Sequence, residues 1–147
     1  MAIETVNPAT GKKIKKFKAM TKSEVDVIMD QSNKIFKKWK EISFADRAQL
    51  FHALAKDLKQ HKDDYAKVIT LEMGKPITQA HSEDEKCALV CEYYADNAER
   101  HLTEDYVPTD HTHSYVRFDP IGVVLAVMPW NFPFWQVFRA AVPALMA

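Results

Sequence analysis

The stretch from residue 121 to residue 147 constrains the fold of this chain more than any other part of its sequence. Residues 121–128, Ile-Gly-Val-Val-Leu-Ala-Val-Met, are continuously apolar, which is typical of a strand that is covered on both faces of a sheet. A Pro-Trp-Asn-Phe-Pro loop follows at 129–133, and the apolar run over 134–147 is predicted to be a helix that crosses back over that sheet. Because a parallel sheet needs a return strand, which this sequence lacks, we expect the chain to be a piece of a larger protein.

A membrane helix is the alternative for this stretch, which is long enough to span a bilayer. Pro129 and Pro133 would interrupt helical hydrogen bonding at its centre, and Arg139 would lie in hydrocarbon. We therefore expect no membrane segment.

The composition is that of a globular protein, for which we expect a cytoplasmic location. The chain is 47% apolar and 27% charged, and its 20 basic residues balance its 20 acidic ones. A nucleic-acid partner is not expected because there is no basic excess. The N-terminal residues do not resemble a signal peptide, and two cysteines are too few for a disulfide framework.

Four amphipathic helices are predicted in the first two thirds of the chain. Thr21 and Glu24 have the spacing of a capping box at the first helix. Ser43 is placed to cap the second helix, Gly74 to end the third, and Pro76 to lie in the first turn of the fourth. Apolar residues at spacings of three and four support helices over residues 21–39, 43–58, 63–73 and 76–102.

Short strands are predicted on both sides of these helices. Residues 4–6 and 13–18 are predicted to pair as a hairpin around the Asn-Pro-Ala-Thr-Gly turn at 7–11. A disordered basic arm is the alternative for this segment. Residues 106–108 and 114–118 are predicted to be two further strands.

Asn131 is the first candidate functional residue. A carboxamide N–H that points into a dry site stabilises a developing oxyanion, whereas an ordinary turn asparagine bonds its own loop. We favour the functional interpretation because a proline on either side holds the loop rigid and the flanking aromatic residues exclude water.

Arg139 is the second candidate, since it is the only charged residue between Asp119 and the C-terminus. In an apolar setting a guanidinium group requires a carboxylate or phosphate partner. That partner is either a substrate or an acidic residue elsewhere in the protein.

The other clusters of titratable residues are predicted to be structural. Cys87 and Cys91 lie one helical turn apart and are expected to fill a core, because no third ligand lies at a spacing suited to a metal. His111 and His113 are expected to be exposed loop residues. The charged segment Glu-Asp-Glu-Lys at 83–86 is predicted to be a solvated helix face. No metal site is expected.

Several motifs together resemble the aldehyde dehydrogenase superfamily over nearly the whole chain. The hallmark is Pro-Trp-Asn-Phe-Pro at 129–133, and with Arg139 it is most similar to the succinate-semialdehyde dehydrogenase branch. Gln79 departs from the family, in which an acidic residue is common at that position. The other matching segments, in order, are Asn-Pro-Ala-Thr-Gly at 7–11, Glu-Met-Gly-Lys-Pro at 72–76, Pro-Ile-Gly-Val at 120–123 and Pro-Ala-Leu at 143–145.

The resemblance implies an α/β, aldehyde-dehydrogenase-like fold of which this chain holds only a part. Residues 1–102 would supply a hairpin and the helical layer of the cofactor-binding domain. Residues 103–120 would supply strands of an oligomerisation ribbon, so that the full-length protein is expected to be a homo-oligomer. Residues 121–147 would form the first βα unit of a Rossmann-like parallel sheet.

The resemblance also implies the oxidation of an aldehyde, expected to be succinate semialdehyde, with NAD or NADP as cofactor. The family's route passes through a thiohemiacetal and a thioester on a cysteine. The oxyanion would be held by Asn131, and the substrate's distal carboxylate by Arg139. The cofactor cleft would be lined by Met128, Pro129, Trp130 and Asn131.

The nucleophilic cysteine and the general-base glutamate of the family are expected beyond the end of this sequence. We therefore expect the chain alone to be inactive. The alternative to this interpretation is a stand-alone helical interaction module whose apolar tail docks on a partner.

Overall fold

The computed structural model describes residues 3–147, which form five helices and two small antiparallel hairpins. Within these residues no helix combines the length and the apolar composition that are needed to cross a bilayer. The elements in chain order are β1 (Ile3–Val6), β2 (Lys13–Phe17), α1 (Lys22–Trp39), α2 (Phe44–Gln60), α3 (Lys62–Met73), α4 (Ile77–His101), β3 (Asp105–Tyr106), β4 (Tyr115–Val116) and α5 (Pro133–Met146).

The first hairpin confirms the predicted turn. Asn7 Oδ1 accepts a hydrogen bond from Ala9 N at 2.9 Å, and Gly11 adopts a positive φ of 68°. This turn packs against the end of α3, because a Cβ built on Gly74 would lie 2.7 Å from Pro8 Cγ. The glycine between α3 and α4 therefore allows both the left-handed cap of α3 and the close approach of the N-terminal turn.

Helix α1 begins with the predicted capping box. Glu24 N donates to Thr21 Oγ1, and Thr21 N donates to the Glu24 carboxylate at 2.7 Å. None of its residues is buried, and the apolar side chains of Val25, Ile28 and Ile35 are exposed. Its C-terminal end is held instead by Trp39, whose Nε1 donates to the carbonyl oxygen of Leu145 in α5 at 2.8 Å.

The core lies between α2, α4 and α5, with α3 packed against α4. Ser43 caps α2 as predicted, by accepting from Asp46 N. The buried side chains of the main cluster are Phe51, Ala55 and Leu58 of α2, Cys87, Ala88, Cys91 and Ala98 of α4, and Val142 and Met146 of α5.

The strand predicted over residues 121–128 is not formed among residues 3–147, and its pairing in the sheet of a longer protein stays a prediction. The segment lies outside any sheet or helix, and Ile121 is 94% exposed and Leu125 87% exposed. A buried parallel strand is stabilised by neighbouring strands on both sides, and residues 3–147 supply none. The following helix was predicted correctly, and the strands of the second hairpin, β3 and β4, are paired but shorter than predicted.

Candidate functional site

Asn131 lies in the tight turn that leads into α5. Phe132 precedes the helix with non-helical backbone angles, and Pro133 is its first residue, where a missing N–H costs nothing. The Asn131 side chain is exposed, and within residues 3–147 it makes no hydrogen bond to its own loop. Its carboxamide is therefore free to donate to a ligand, although in this chain it faces solvent.

The aromatic residues beside Asn131 do not exclude water here, contrary to expectation. Trp130 is 75% exposed and Phe132 is 44% exposed, because no other part of residues 3–147 covers the outer side of the loop. The Phe132 ring packs on its inner side, where Lys75 Nζ lies 3.7 Å from the ring centroid.

Glu83 anchors the start of α5. One carboxylate oxygen, Oε1, accepts hydrogen bonds from the backbone N–H groups of Phe134 at 2.9 Å and Trp135 at 3.0 Å. The first N–H groups of a helix have no partner within the helix. A carboxylate at this position satisfies two of them and is stabilised by the helix dipole.

Lys75 is the counter-charge of Glu83. Its Nζ contacts Glu83 Oε2, and both side chains are almost completely buried. Lys75 reaches this position because it directly follows Gly74, whose left-handed backbone turns the chain between α3 and α4. The Glu-Met-Gly-Lys-Pro motif thus places a buried ammonium group against the base of the loop that carries Asn131.

The predicted solvated face at 83–86 is therefore wrong for its first two residues. Glu83 is 4% exposed and Asp84 0%, while Glu85 and Lys86 do face solvent. The spacing of the residues could have predicted this burial, since Glu83 and Asp84 fall between Ala80 and Cys87 on the buried stripe of α4. Two adjacent carboxylates in an apolar stripe indicate buried charge.

Asp84 is a buried carboxyl group of a different kind. Within the described residues, neither of its carboxylate oxygens has a hydrogen-bond partner. Burial, together with the negative charge of Glu85, raises the pKa of Asp84 to about 6. This carboxyl group is thus much more easily protonated than an exposed aspartate.

The far end of α5 is held by a buried cation. Arg47 Nη1 donates to the carbonyl oxygen of Met146 at 2.9 Å, and its guanidinium lies over the Phe44 ring at 4.7 Å. Burial lowers the pKa of Arg47. Since a helix carries partial negative charge at its C-terminus, Arg47 and Glu83 complement the two ends of α5.

Arg139 is exposed on α5, one turn beyond Trp135, and the structure finds no ion pair for it among the described residues. Of the two partners that the sequence left open, an acidic residue within residues 3–147 is therefore ruled out. Trp135 also contacts Lys86, whose Nζ lies 4.0 Å from the ring centroid, and it shares an open cleft with Gln79.

The three residues predicted to line a cofactor cleft lie in a row before Asn131. Met128 is half-buried, while Pro129 and Trp130 are exposed, and all three lie outside the sheets and helices. This stretch of backbone is accessible to a ligand. Among the described residues no group of His, Cys, Asp or Glu side chains is arranged to hold a metal ion.

Cys87 and Cys91 fill the core, as predicted. Both are buried and unpaired. Burial raises the pKa of each thiol to about 12, and for Cys87 the nearby carboxylates of Asp84 and Glu83 add to the effect. Because the thiolate is the reactive form, neither residue is suited to act as a nucleophile.

We expect Cys87 and Cys91 to resist alkylation in the folded full-length protein. Iodoacetamide at mildly alkaline pH should label them at least about a hundredfold more slowly than it does after unfolding in guanidinium, because their thiolate population is very small. Peptide mass spectrometry of timed samples measures both rates. Labelling of either cysteine as fast in the native as in the unfolded protein would contradict this assignment to the core.

A model of the aldehyde dehydrogenase family matches residues 1–147, which is the whole chain. The chain belongs to the aldehyde dehydrogenase family. This confirms the resemblance inferred from the sequence motifs.

Two succinate-semialdehyde dehydrogenases match the chain over its whole length. It is 50% identical to a probable NADP(+)-dependent succinate-semialdehyde dehydrogenase of Synechocystis sp., covering 100% of this chain and 32% of that protein. It is 45% identical to the NADP(+)-dependent succinate-semialdehyde dehydrogenase 1 of Mycobacterium tuberculosis, covering 33% of that protein. The chain therefore spans about one third of the length of these relatives.

Solved structures confirm the α/β aldehyde dehydrogenase fold. The succinic semialdehyde dehydrogenase from Streptococcus pyogenes, determined with NADP+ as the cofactor, superposes with a TM-score of 0.93 at 33% identity over 97% of this chain and 32% of that one. The structure of Gox0499, described in terms of cofactor and substrate selection, superposes with a TM-score of 0.97 at 30% identity over 100% of this chain and 32% of that one. The helical arrangement around α5 is thus the arrangement found in complete aldehyde dehydrogenases.

Proposed function

We propose that this chain is the N-terminal part of an aldehyde dehydrogenase that oxidises succinate semialdehyde to succinate with NADP+ as the preferred cofactor. The observation that carries the proposal is the exposed carboxamide of Asn131, placed at the anchored start of α5 in a chain of this family. The names of the relatives support both the substrate and the cofactor. The overall reaction consumes one aldehyde, one water and one NADP+, and yields one carboxylate, one NADPH and two protons.

Asn131 acts on the reacting carbonyl group. When the family's nucleophilic cysteine attacks the aldehyde, negative charge develops on the carbonyl oxygen, and an N–H of the carboxamide donates a hydrogen bond to it. The structure leaves this N–H uncommitted within residues 3–147. Because no competing bond inside the chain must be broken, the donor is available throughout the reaction.

The cofactor supplies the hydride acceptor when it is bound. The exposed backbone of Met128, Pro129 and Trp130 would line the side of the cleft that holds the nicotinamide ribose, as the family resemblance implies. These residues adjoin Asn131 directly, so cofactor and oxyanion would be bound by consecutive parts of one loop.

The chain by itself would not catalyse the reaction. Its two cysteines are both buried, with a thiol pKa of about 12, and covalent catalysis requires an accessible thiolate. The nucleophile and the general base would come from the rest of the protein.

The exposed apolar segment 121–128 fits the same proposal. In the complete enzyme this segment would pair in a parallel sheet with strands from later in the sequence. The side chains that are exposed in this chain would then be buried. The second hairpin, β3 and β4, would contribute to contacts between the subunits of a homo-oligomer. A separate docking function for the apolar tail is therefore not needed.

The full-length protein tests the proposal directly. It is mixed with succinate semialdehyde and either NADP+ or NAD+, and the absorbance of the reduced cofactor is followed. We expect turnover, faster with NADP+ at equal concentration, and succinate as the product by chromatography. Absence of cofactor reduction with succinate semialdehyde, while an uncharged aldehyde is oxidised, would refute the proposed substrate.

We expect Arg139→Gln in the full-length enzyme to lower kcat/KM for succinate semialdehyde by about thirtyfold, because a charge-assisted hydrogen bond to the substrate's distal carboxylate contributes about 2 kcal/mol. Its kcat/KM for butanal, which has no carboxylate, should change less than about threefold. The matched control is Arg100→Gln, an exposed arginine on α4. Equal losses for both aldehydes would contradict a role in binding the carboxylate.

A further inference from the structure

We infer that Glu83 is the residue that positions Asn131 for catalysis, with the buried Lys75 as its obligatory partner. The inference rests on the proposed function, since it concerns the proposed oxyanion donor. Glu83 would touch neither substrate nor cofactor. It would act through the loop, as a positioning residue.

Asn131 depends on its neighbours for its position. Within residues 3–147 its side chain makes no hydrogen bond and is exposed. Only Phe132 and Pro133 separate it from the first anchored amide, that of Phe134. Since the proline ring fixes one of the few soft torsions in between, holding the Phe134 amide largely determines where Asn131 lies.

The buried pair of Glu83 and Lys75 contacts the chain immediately after Asn131. Glu83 Oε1 holds two successive amides, of Phe134 and Trp135, and its other oxygen contacts Lys75. The ammonium group of Lys75 in turn lies over the Phe132 ring at 3.7 Å. The pair therefore fixes the backbone after the loop and the side chain next to Asn131 at the same time.

This arrangement carries an energetic cost. Burying two charges is unfavourable, and a buried ion pair is often no more stable than apolar residues of similar volume. A Ser, Thr, Asp or Asn at the N-cap would satisfy the amides locally at lower cost, yet Phe132 occupies that position. Glu83 differs from such a local cap because it lies on another helix, and so it fixes the loop against the 25-residue helix α4.

The consequence for catalysis follows from geometry. An oxyanion donor accelerates a reaction only if it is held where the charge develops, and a misplacement of about 1 Å costs about a hundredfold in rate. Removing the anchor should therefore impair the chemical step more than the binding of substrate.

The test is a double-mutant cycle in the full-length enzyme. We expect Glu83→Ala to lower kcat for succinate semialdehyde by about 10- to 100-fold, with the KM values for aldehyde and NADP+ changed less than about threefold. In an Asn131→Ala background the same change should cost less than about threefold, because the residue it positions is gone. Glu85→Ala, two residues along α4 and exposed, is the control and should leave kcat unchanged.

Two outcomes overturn the inference. One is a Glu83→Ala enzyme with the kcat of the parent. The other is a loss in the Asn131→Ala background as large as that in the parent, which would indicate a general structural effect. If Glu83→Ala does not fold, the double variant Lys75→Met with Glu83→Leu takes its place in the same cycle, since it removes the acceptor for the two amides without leaving an unpaired buried ammonium group.

Amide hydrogen exchange separates this inference from the proposed function. The amides of Phe134 and Trp135 should be protected in the parent and in Glu85→Ala, and exchange at least about tenfold faster in Glu83→Ala. This result would support the anchor even if the protein oxidised no aldehyde. Unchanged exchange in Glu83→Ala would overturn the anchor even if the enzyme were active.

Discussion

Replacing Asn131 by alanine in the full-length enzyme is expected to lower kcat for succinate semialdehyde by about 10²–10³-fold, the loss measured when one oxyanion-hole donor is removed from another enzyme. The carboxamide is exposed and unbonded within residues 3–147, so its removal breaks no internal contact and leaves the fold intact. The loss should fall on kcat, because the hydrogen bond is strongest when the carbonyl oxygen carries charge. Steady-state kinetics under saturating NADP+ measure it.

The control for this variant is Asn97→Ala on α4. Asn97 donates a side-chain hydrogen bond to the carbonyl oxygen of Tyr93, so its loss tests the effect of removing a carboxamide elsewhere in the same fold. We expect Asn97→Ala to retain kcat within about twofold. If Asn131→Ala raised KM while leaving kcat at the parent value, Asn131 would be a binding residue and not the oxyanion donor.

Local signals in the sequence were sufficient to predict the helices and the first hairpin. Thr21 and Glu24 form the capping box at the start of α1, and Gly74 forms the left-handed cap at the end of α3. The Asn-Pro-Ala-Thr-Gly turn closes a hairpin whose strands pair from Ile3 to Phe17. These features depend on interactions between residues that are close in sequence, and so they form whether or not the rest of the protein is present.

Local signals were not sufficient to predict whether residues 121–128 form a strand in this chain. Its apolar and β-branched residues describe the environment that a strand needs, but a strand exists only when another strand pairs with it. Residues 3–147 provide no such partner, and the segment lies exposed. The pattern therefore describes an environment that residues 3–147 do not supply.

The functional site was found from the sequence only in part. Asn131 and Arg139 stood out because each is a lone strongly polar residue in an apolar stretch. Glu83 and Lys75 did not, since Glu83 binds the Phe134 amide and Lys75 contacts the Phe132 ring, each across more than about 50 residues of sequence. The spacing of Glu83 on the buried stripe of α4 predicts burial, but only the structure shows what the carboxylate binds.

Two charged side chains, Glu83 and Arg47, hold helix α5 against the rest of the fold, although the segment before it is exposed. Glu83 binds the amides at its start and Arg47 binds the carbonyl groups at its end. Each charge has the sign that complements the helix dipole at that end. Apolar packing of Val142 and Met146 fills the space between the two anchors. The position of α5 along its axis is thus set by polar contacts, and its distance from α4 by packing.

Breaking the buried pair is expected to be the most destabilising single change in this region. Lys75→Met should lower the free energy of unfolding by about 3 kcal/mol, because it leaves the Glu83 carboxylate buried without its counter-charge. The two amides of α5 that bind Glu83 remain, so the cost should lie near the lower end of the range for such pairs. Urea denaturation of the full-length protein, followed by circular dichroism, measures the change in midpoint.

Two further variants identify the cause of this loss. Lys86→Met removes the exposed ammonium group above the Trp135 ring, and it should cost less than about 1 kcal/mol. The double variant Lys75→Met with Glu83→Gln leaves no buried charge and keeps an acceptor for the two amides, so it should recover more than half of the stability lost in Lys75→Met. If the double variant is no more stable than Lys75→Met alone, the uncompensated charge of Glu83 is not the source of the loss, which then comes from other contacts of the lysine side chain, such as that with the Phe132 ring.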